Sequence, residues 1–162
     1  MADQSVKQIL ETQGNQQTQE QNQQSKQKTV KLIIKRQDNN ESKPYEETFE
    51  IPYKENLNVI ACLMEIRRNP LNAKGEKTSP VTWDMNCLEE VCGACSMVIN
   101  GRARQACSAI VDQLEQPIRL EPMSTFPVIR DLQIDRSRMF DNLKRMEAVS
   151  YTHLTLPTIC SV

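Results

Sequence analysis

The chain has 162 residues, 38% apolar content and a formal charge of −1, which suits one small domain plus an unpacked extension. The near-neutral balance lacks the basic excess of nucleic-acid binders, and no apolar run approaches the ~18–20 residues of a membrane-spanning helix. Neither a nucleic-acid partner nor direct membrane insertion is therefore expected.

Residues 1–28 are dominated by glutamine and carry no aromatic residue. Such a segment cannot bury enough surface to offset its conformational entropy, and a disordered tail without chemistry is expected. Order should begin near Thr29. In TVKLIIKRQ, Val30, Leu32 and Ile34 alternate with Lys31 and Lys35. In YEETFEI, Tyr45, Phe49 and Ile51 share one face, and DNNESKP breaks the chain between the two runs. This pattern predicts a β-hairpin. NVIACLMEIRRNP then switches to helical spacing, with Ile60, Ala61 and Met64 on one face, Asn58 as cap, Arg67 and Arg68 in the last turn and Pro70 as terminator. Cys62 falls inside this apolar helix and reads as a buried small hydrophobe.

LNAKGEKTSP predicts a loop and VTWD a short strand. SMVIN predicts another strand, Asn100-Gly101 a hairpin turn, and PIRLEP a further strand at 117–122. The sum is a small α+β domain over residues 29–124. Beyond it, DRSRMFDNLKRMEA places Met139, Leu143 and Met146 on one face of an amphipathic helix that has little left to pack against. VSYTHLTLPT, residues 149–158, back-translates into a widely used transposon-based sequencing adapter. A non-native tail is accordingly expected over 149–162, and neither His153 nor Cys160 receives a role.

Six cysteines without an export signal point to a reducing compartment, where clustered thiols bind metal or do redox work more often than they form disulfides. With Cys62 and Cys160 set aside, Cys87, Cys92 and Cys95 form C-x4-C-x2-C, and Cys107 follows from the next hairpin. This is the plant-type [2Fe–2S] ligand spacing. Two bridged tetrahedral irons need two thiolates each, so one loop can supply three and a nearby strand end the fourth. Gly93 lets the backbone approach closely and aim N–H groups at sulfur. Zinc is the first rival, but structural zinc sites pair two close couples and only one is present, with no histidine near. A Rieske centre fails for want of two histidines. A C-x-x-C thiol redox site leaves two cysteines unexplained. No G-x-G-x-x-G or P-loop occurs, so the chain shows no nucleotide or flavin site.

The run PVTWDMNCLEEVCGACSMVINGRARQACSAIVDQLEQPIRLEPM resembles the iron–sulfur subunit family of bacterial succinate dehydrogenase and fumarate reductase, as do NLNVIACLMEIRRNP and FPVIRDLQIDRSRMFDNLKR. The resemblance covers residues 29 to about 147. It implies a β-grasp ferredoxin fold over 29–124, with Cys87, Cys92, Cys95 and Cys107 as the [2Fe–2S] ligands and no catalytic residue on this chain. Also implied is a helical second domain with [4Fe–4S] and [3Fe–4S] clusters on C-x2-C-x2-C-x3-C-P motifs. No such run follows Met139, so residues 125–148 are expected to be only the first segment of that domain. As to role, the resemblance implies an electron-transfer subunit of succinate dehydrogenase, relaying electrons from the FAD of a flavoprotein subunit toward quinone. Its further partner is a membrane-anchor cytochrome b subunit, at the cytoplasmic face of the bacterial membrane. Fumarate reductase, with the same wiring reversed, and a free-standing ferredoxin-like carrier are the alternatives.

Overall fold

The computed structural model describes residues 28–146. The glutamine-rich segment up to residue 27 and the tail over 149–162, with His153 and Cys160, lie outside the described residues. The alternating run at the start forms β1 (Thr29–Arg36), which pairs antiparallel with β2 (Tyr45–Pro52). The register sets Val30 against Ile51 and Leu32 against Phe49. All four are buried, so the period-2 face read from the sequence is the core face. Tyr45 shares that face but opens the strand, and it is 41% exposed rather than buried.

Helix α1 (Val59–Arg68) crosses the sheet behind Asn58, whose side-chain oxygen accepts from the Ala61 N–H at 2.8 Å. Arg67 and Arg68 occupy its last turn. The apolar face differs from the expected one. Val59, Ile60, Cys62, Leu63 and Ile66 are buried, Ala61 is half-buried, and Met64 is exposed. The i, i+3, i+4, i+7 set starting at Val59, namely Val59, Cys62, Leu63 and Ile66, forms the buried apolar stripe, with Ile60 beside it. Burial pushes the Cys62 thiol up to about 12. In the native chain at pH 8, Cys62 is therefore expected to resist iodoacetamide and to react only on unfolding; mass mapping of labelled peptides reads this directly.

Strands β3 (Ser96–Ile99), β4 (Arg102–Gln105) and β5 (Ile118–Glu121) complete a five-stranded sheet in the order β2-β1-β5-β3-β4. The β1–β5 pairing is parallel and the others are antiparallel. Helix α1 on one face of this mixed sheet gives the β-grasp ferredoxin-like arrangement. Asn100 and Gly101 make the β3–β4 turn with φ of 47° and 77°, the doubly left-handed geometry that Asn-Gly tolerates. Asn100 also fastens that turn to β5, its side-chain oxygen accepting from the Arg119 N–H at 2.7 Å.

VTWD is not a strand. The Thr82 N–H donates to the Asp131 carboxylate at 3.0 Å, and the Thr82 carbonyl accepts from Leu132 N–H at 3.1 Å. The segment is thus held by a loop rather than a ladder. That loop belongs to a small hairpin the sequence reading did not anticipate, β6 (Val128–Arg130) with β7 (Gln133–Ile134). Leu132 joins the core, and Asp131, fully buried, meets fully buried Arg36. The core packing therefore extends past residue 124, to Leu132. Helix α2 (Ser137–Arg145) follows, and none of its residues is buried.

Arg36 continues the β1 alternation two residues beyond Ile34 and so points inward. Its Nε and Nη2 donate to the two Asp131 oxygens at 3.0 and 3.1 Å. Nη1 donates to Glu47 Oε2 at 2.6 Å and to the Ser79 carbonyl at 2.9 Å. Burial opposes the guanidinium charge, but the hydrogen bonds to Asp131 and Glu47 more than offset it and raise the Arg36 pKa. One side chain thereby ties β1, β2, the 71–84 loop and the β6–β7 hairpin together.

Candidate metal centre

The loop between α1 and β3 carries Cys87, Cys92 and Cys95, and Cys107 lies two residues beyond β4. Because β3 and β4 are one hairpin, the end of β4 returns to the start of β3. The Ala106 N–H donates to the Cys95 carbonyl at 3.1 Å, and this closes the fourth thiol onto the loop. Asn58 adds a second tie, its Nδ2 donating to the Cys107 carbonyl at 3.0 Å. The loop is also held to the end of β4 through Glu90, whose carbonyl accepts from Gln105 Nε2 and whose carboxylate accepts from Ser108 Oγ.

Within the loop the backbone alternates into the left-handed region at Leu88 (φ 62°), Glu90 (59°) and Gly93 (70°). Only Gly93 adopts this without penalty; Leu88 carries a cost of roughly 1–2 kcal/mol. Such alternation turns successive N–H groups toward one centre, forming a nest for negative charge. Here they converge on sulfur. Cys87 Sγ accepts from Cys92 N–H at 3.3 Å and Glu89 N–H at 3.4 Å, and Cys92 Sγ accepts from Ala94 N–H at 3.4 Å and Cys87 N–H at 3.5 Å. The N–H groups of Glu89, Cys92 and Val91 favour the thiolate and bring the Cys87 thiol down to about 7. Cys107 moves the other way, pushed up by burial and by its contact with Cys95.

The thiols thus fall into two pairs. Cys87 and Cys92 lie outward, half-buried and exposed, whereas Cys95 and Cys107 are buried. All are free thiols. Among the described residues, no three of His, Cys, Asp or Glu gather as a mononuclear metal site needs. Two pairs are what a two-iron cluster asks for, one couple per iron, and four thiolates with backbone N–H donors match its charge. The donor set fits a [2Fe–2S] group. The four cysteines and Gly93 singled out in the sequence lie in and beside this loop, while sequence reasoning missed Arg136, whose Nη1 and Nη2 donate to the Gly93 and Ala94 carbonyls at 3.0 and 2.7 Å. Nothing local in the sequence signals a contact across that separation.

Fold and loop together define an iron–sulfur domain of the ferredoxin type. The chain belongs to the 2Fe-2S iron-sulfur cluster binding domain family, which matches residues 31–141, and its cofactor is a [2Fe–2S] cluster. It is 74% identical over 124 residues to the succinate dehydrogenase iron-sulfur subunit of Bacillus subtilis, covering 76% of this chain and 49% of that protein. The subunit of the same name from Coxiella burnetii is 32% identical over 107 residues, with 66% and 43% covered. The fumarate reductase iron-sulfur subunit of Haemophilus influenzae is 25% identical over 108 residues, with 66% and 39% covered. The chain spans about half, or less, of the length of these relatives. In fold it is similar to a chain of the Mycobacterium smegmatis Sdh1 complex in the apo form, with a TM-score of 0.60 and 24% identity over 74% of this chain and 47% of that one. No described helix is long and apolar enough to cross a membrane.

Proposed function

We propose that this chain is the electron-transfer portion of a succinate dehydrogenase iron–sulfur subunit and that Cys87, Cys92, Cys95 and Cys107 hold its [2Fe–2S] cluster. The observation that carries this is the division of four free thiols into an outward and an inward pair, inside a loop whose N–H groups point at sulfur. A bound [2Fe–2S] cluster takes up and releases one electron at a time. The chain's own part is to fix the four thiolates, stabilise their charge with loop N–H groups, and keep one pair buried while the other faces outward. Leu88 and Val91, at 47% and 80% exposure, stand beside the outward pair and present apolar surface where an electron-transfer partner would dock.

In this reading the electron donor is an FAD-bearing flavoprotein subunit and the outlet is quinone at a membrane-anchor cytochrome b subunit. The protein works peripherally at the cytoplasmic face of the membrane. A helical domain beyond the β6–β7 hairpin would carry the [4Fe–4S] and [3Fe–4S] clusters that connect the two. The likeness to fumarate reductase subunits favours a second reading in which the same relay runs toward fumarate; direction is set by the potentials of flavin, clusters and quinone together.

The test is composition. Protein prepared anaerobically is expected to contain two irons and two acid-labile sulfides per chain, the stoichiometry of this cluster type, with the corresponding visible absorption. Stoichiometric zinc in place of iron and sulfide would defeat the proposal.

A further inference from the structure

The peptide unit joining Gly93 to Ala94 has two ends, and each has a partner. Its N–H, on Ala94, donates to Cys92 Sγ at 3.4 Å. Its carbonyl, on Gly93, faces away from the sulfur and accepts from Arg136 Nη1 at 3.0 Å. The next carbonyl, on Ala94, accepts from Arg136 Nη2 at 2.7 Å. The planar guanidinium thus grips two consecutive carbonyls of the stretch between Cys92 and Cys95, from a position at the head of α2. Gly93, at φ 70°, has none of the steric restraint that a side chain would impose on this peptide. Two donors hold its plane from the carbonyl side, the Ser96 N–H at 3.2 Å and Arg136, and of these only Arg136 also holds the next carbonyl and carries charge. A hydrogen bond to a carbonyl also polarises the N–H at the other end of the same peptide.

We propose that Arg136 is a positioning residue for the cluster, acting on Cys92 through the 93–94 peptide and raising the reduction potential. The inference rests on the reading that this loop holds a [2Fe–2S] cluster. Two effects share one sign. Reduction adds negative charge, which a nearby guanidinium stabilises, and a firmly oriented, polarised N–H on sulfur favours the more negatively charged state as well.

The experiment compares the reconstituted 162-residue chain with Arg136→Met, Arg136→Lys and, as control, Arg138→Met. Arg138 is an exposed α2 residue, so its replacement removes the same charge without touching the loop. Potentiometric titration followed by electron paramagnetic resonance gives the midpoint, and iron release to a chelator gives retention. Arg136→Met is expected to lower the midpoint and to speed iron release about tenfold, the lower end of what losing a supporting partner costs. Arg136→Lys should recover part of the midpoint, because it keeps the charge but not the two-carbonyl grip, and Arg138→Met should leave both readings near the parent. Thermal unfolding of the cluster-free forms separates a general loss of structure, which would shift the melting curve, from an effect at the loop. If Arg136→Met keeps the parent midpoint, or shifts it no more than Arg138→Met does, the inference is overturned while the cluster assignment stands. If the parent chain takes up no [2Fe–2S] cluster, the assignment itself fails, and this inference with it.

Discussion

Replacing Cys107 with alanine is expected to abolish the [2Fe–2S] chromophore while leaving the fold in place. Cys107 is the one thiol of the four that does not come from the loop, and it is 7% exposed against Cys95. Without it the inward iron would keep a single thiolate, and neither the Ala106 nor the Ala109 side chain can donate an electron pair in its place. Loss of a mere supporting partner costs 10–100-fold in metal affinity, so loss of a ligand should reduce iron retention by at least roughly 100-fold. The structural cost is small, because the thiol behaves as a small hydrophobe at the edge of the core and Asn58 still binds the backbone carbonyl of residue 107. Iron content, visible absorption and far-ultraviolet circular dichroism measured on one preparation separate the two effects. Cys62→Ala is the matching control. That thiol is buried in α1 among core residues, and its removal should leave the spectrum intact at some cost in stability. A full chromophore in Cys107→Ala, or a bleached one in Cys62→Ala, would mean that the four ligands have been misassigned.

The second large effect is on stability. Changing Arg36 to methionine leaves the fully buried Asp131 carboxylate without its guanidinium, and breaking a buried pair in this way typically costs 3–5 kcal/mol. Asp131 would retain the N–H of Thr82 at 3.0 Å, that of Gln37 at 3.3 Å and the partly exposed Arg130 Nε at 3.9 Å, but two backbone donors and a cation at that distance do not replace a buried, two-bond guanidinium. Against a domain stability of roughly 5–15 kcal/mol, the loss is a large fraction. Asp131→Asn should be milder, since asparagine also accepts the left-handed φ of 49° found there and can keep part of the network. Urea unfolding of the cluster-free chain measures both variants; an Arg36→Met chain within about 1 kcal/mol of the parent would show that the network contributes no more than a surface pair. The same change should also loosen the approach to the metal loop. Arg36 holds the Ser79 carbonyl and Asp131 holds Thr82, only a few residues before Cys87.

What the sequence disclosed and what it hid divide along physical lines. The cysteine quartet could be singled out because the plant-type thiolate pattern is a fixed local spacing, and spacing is what a sequence records. The β1–β2 hairpin, the cap at Asn58 and the Asn100-Gly101 turn were legible for the same reason, each depending on neighbours a few residues away. Tyr45 misled because alternation states which face a side chain takes, not whether the far end of the strand is covered. VTWD misled because its backbone groups are claimed by Asp131 and Leu132, 49 residues on in the case of Thr82 and Asp131. Arg36 was within reach: the alternation of Val30, Leu32 and Ile34, carried one step further, sets an arginine inside, and a buried arginine requires a carboxylate. Asp131 and Arg136 offered no such cue, since their partners lie 95 and 43 residues away.

The strand order imposes a schedule. The parallel β1–β5 ladder joins residues 32–34 to 118–120, and the β3–β4 hairpin reaches the rest of the sheet through β5. All four thiols are therefore synthesised before the strand that anchors their hairpin exists. Until residue 121 has been made, the cysteines stand on a two-stranded ribbon, which is marginal by itself in water. Closing the long span to β1 is the slow, entropically costly step. A nascent chain stalled before β5 would present its four thiols on a hairpin that no sheet strand yet anchors.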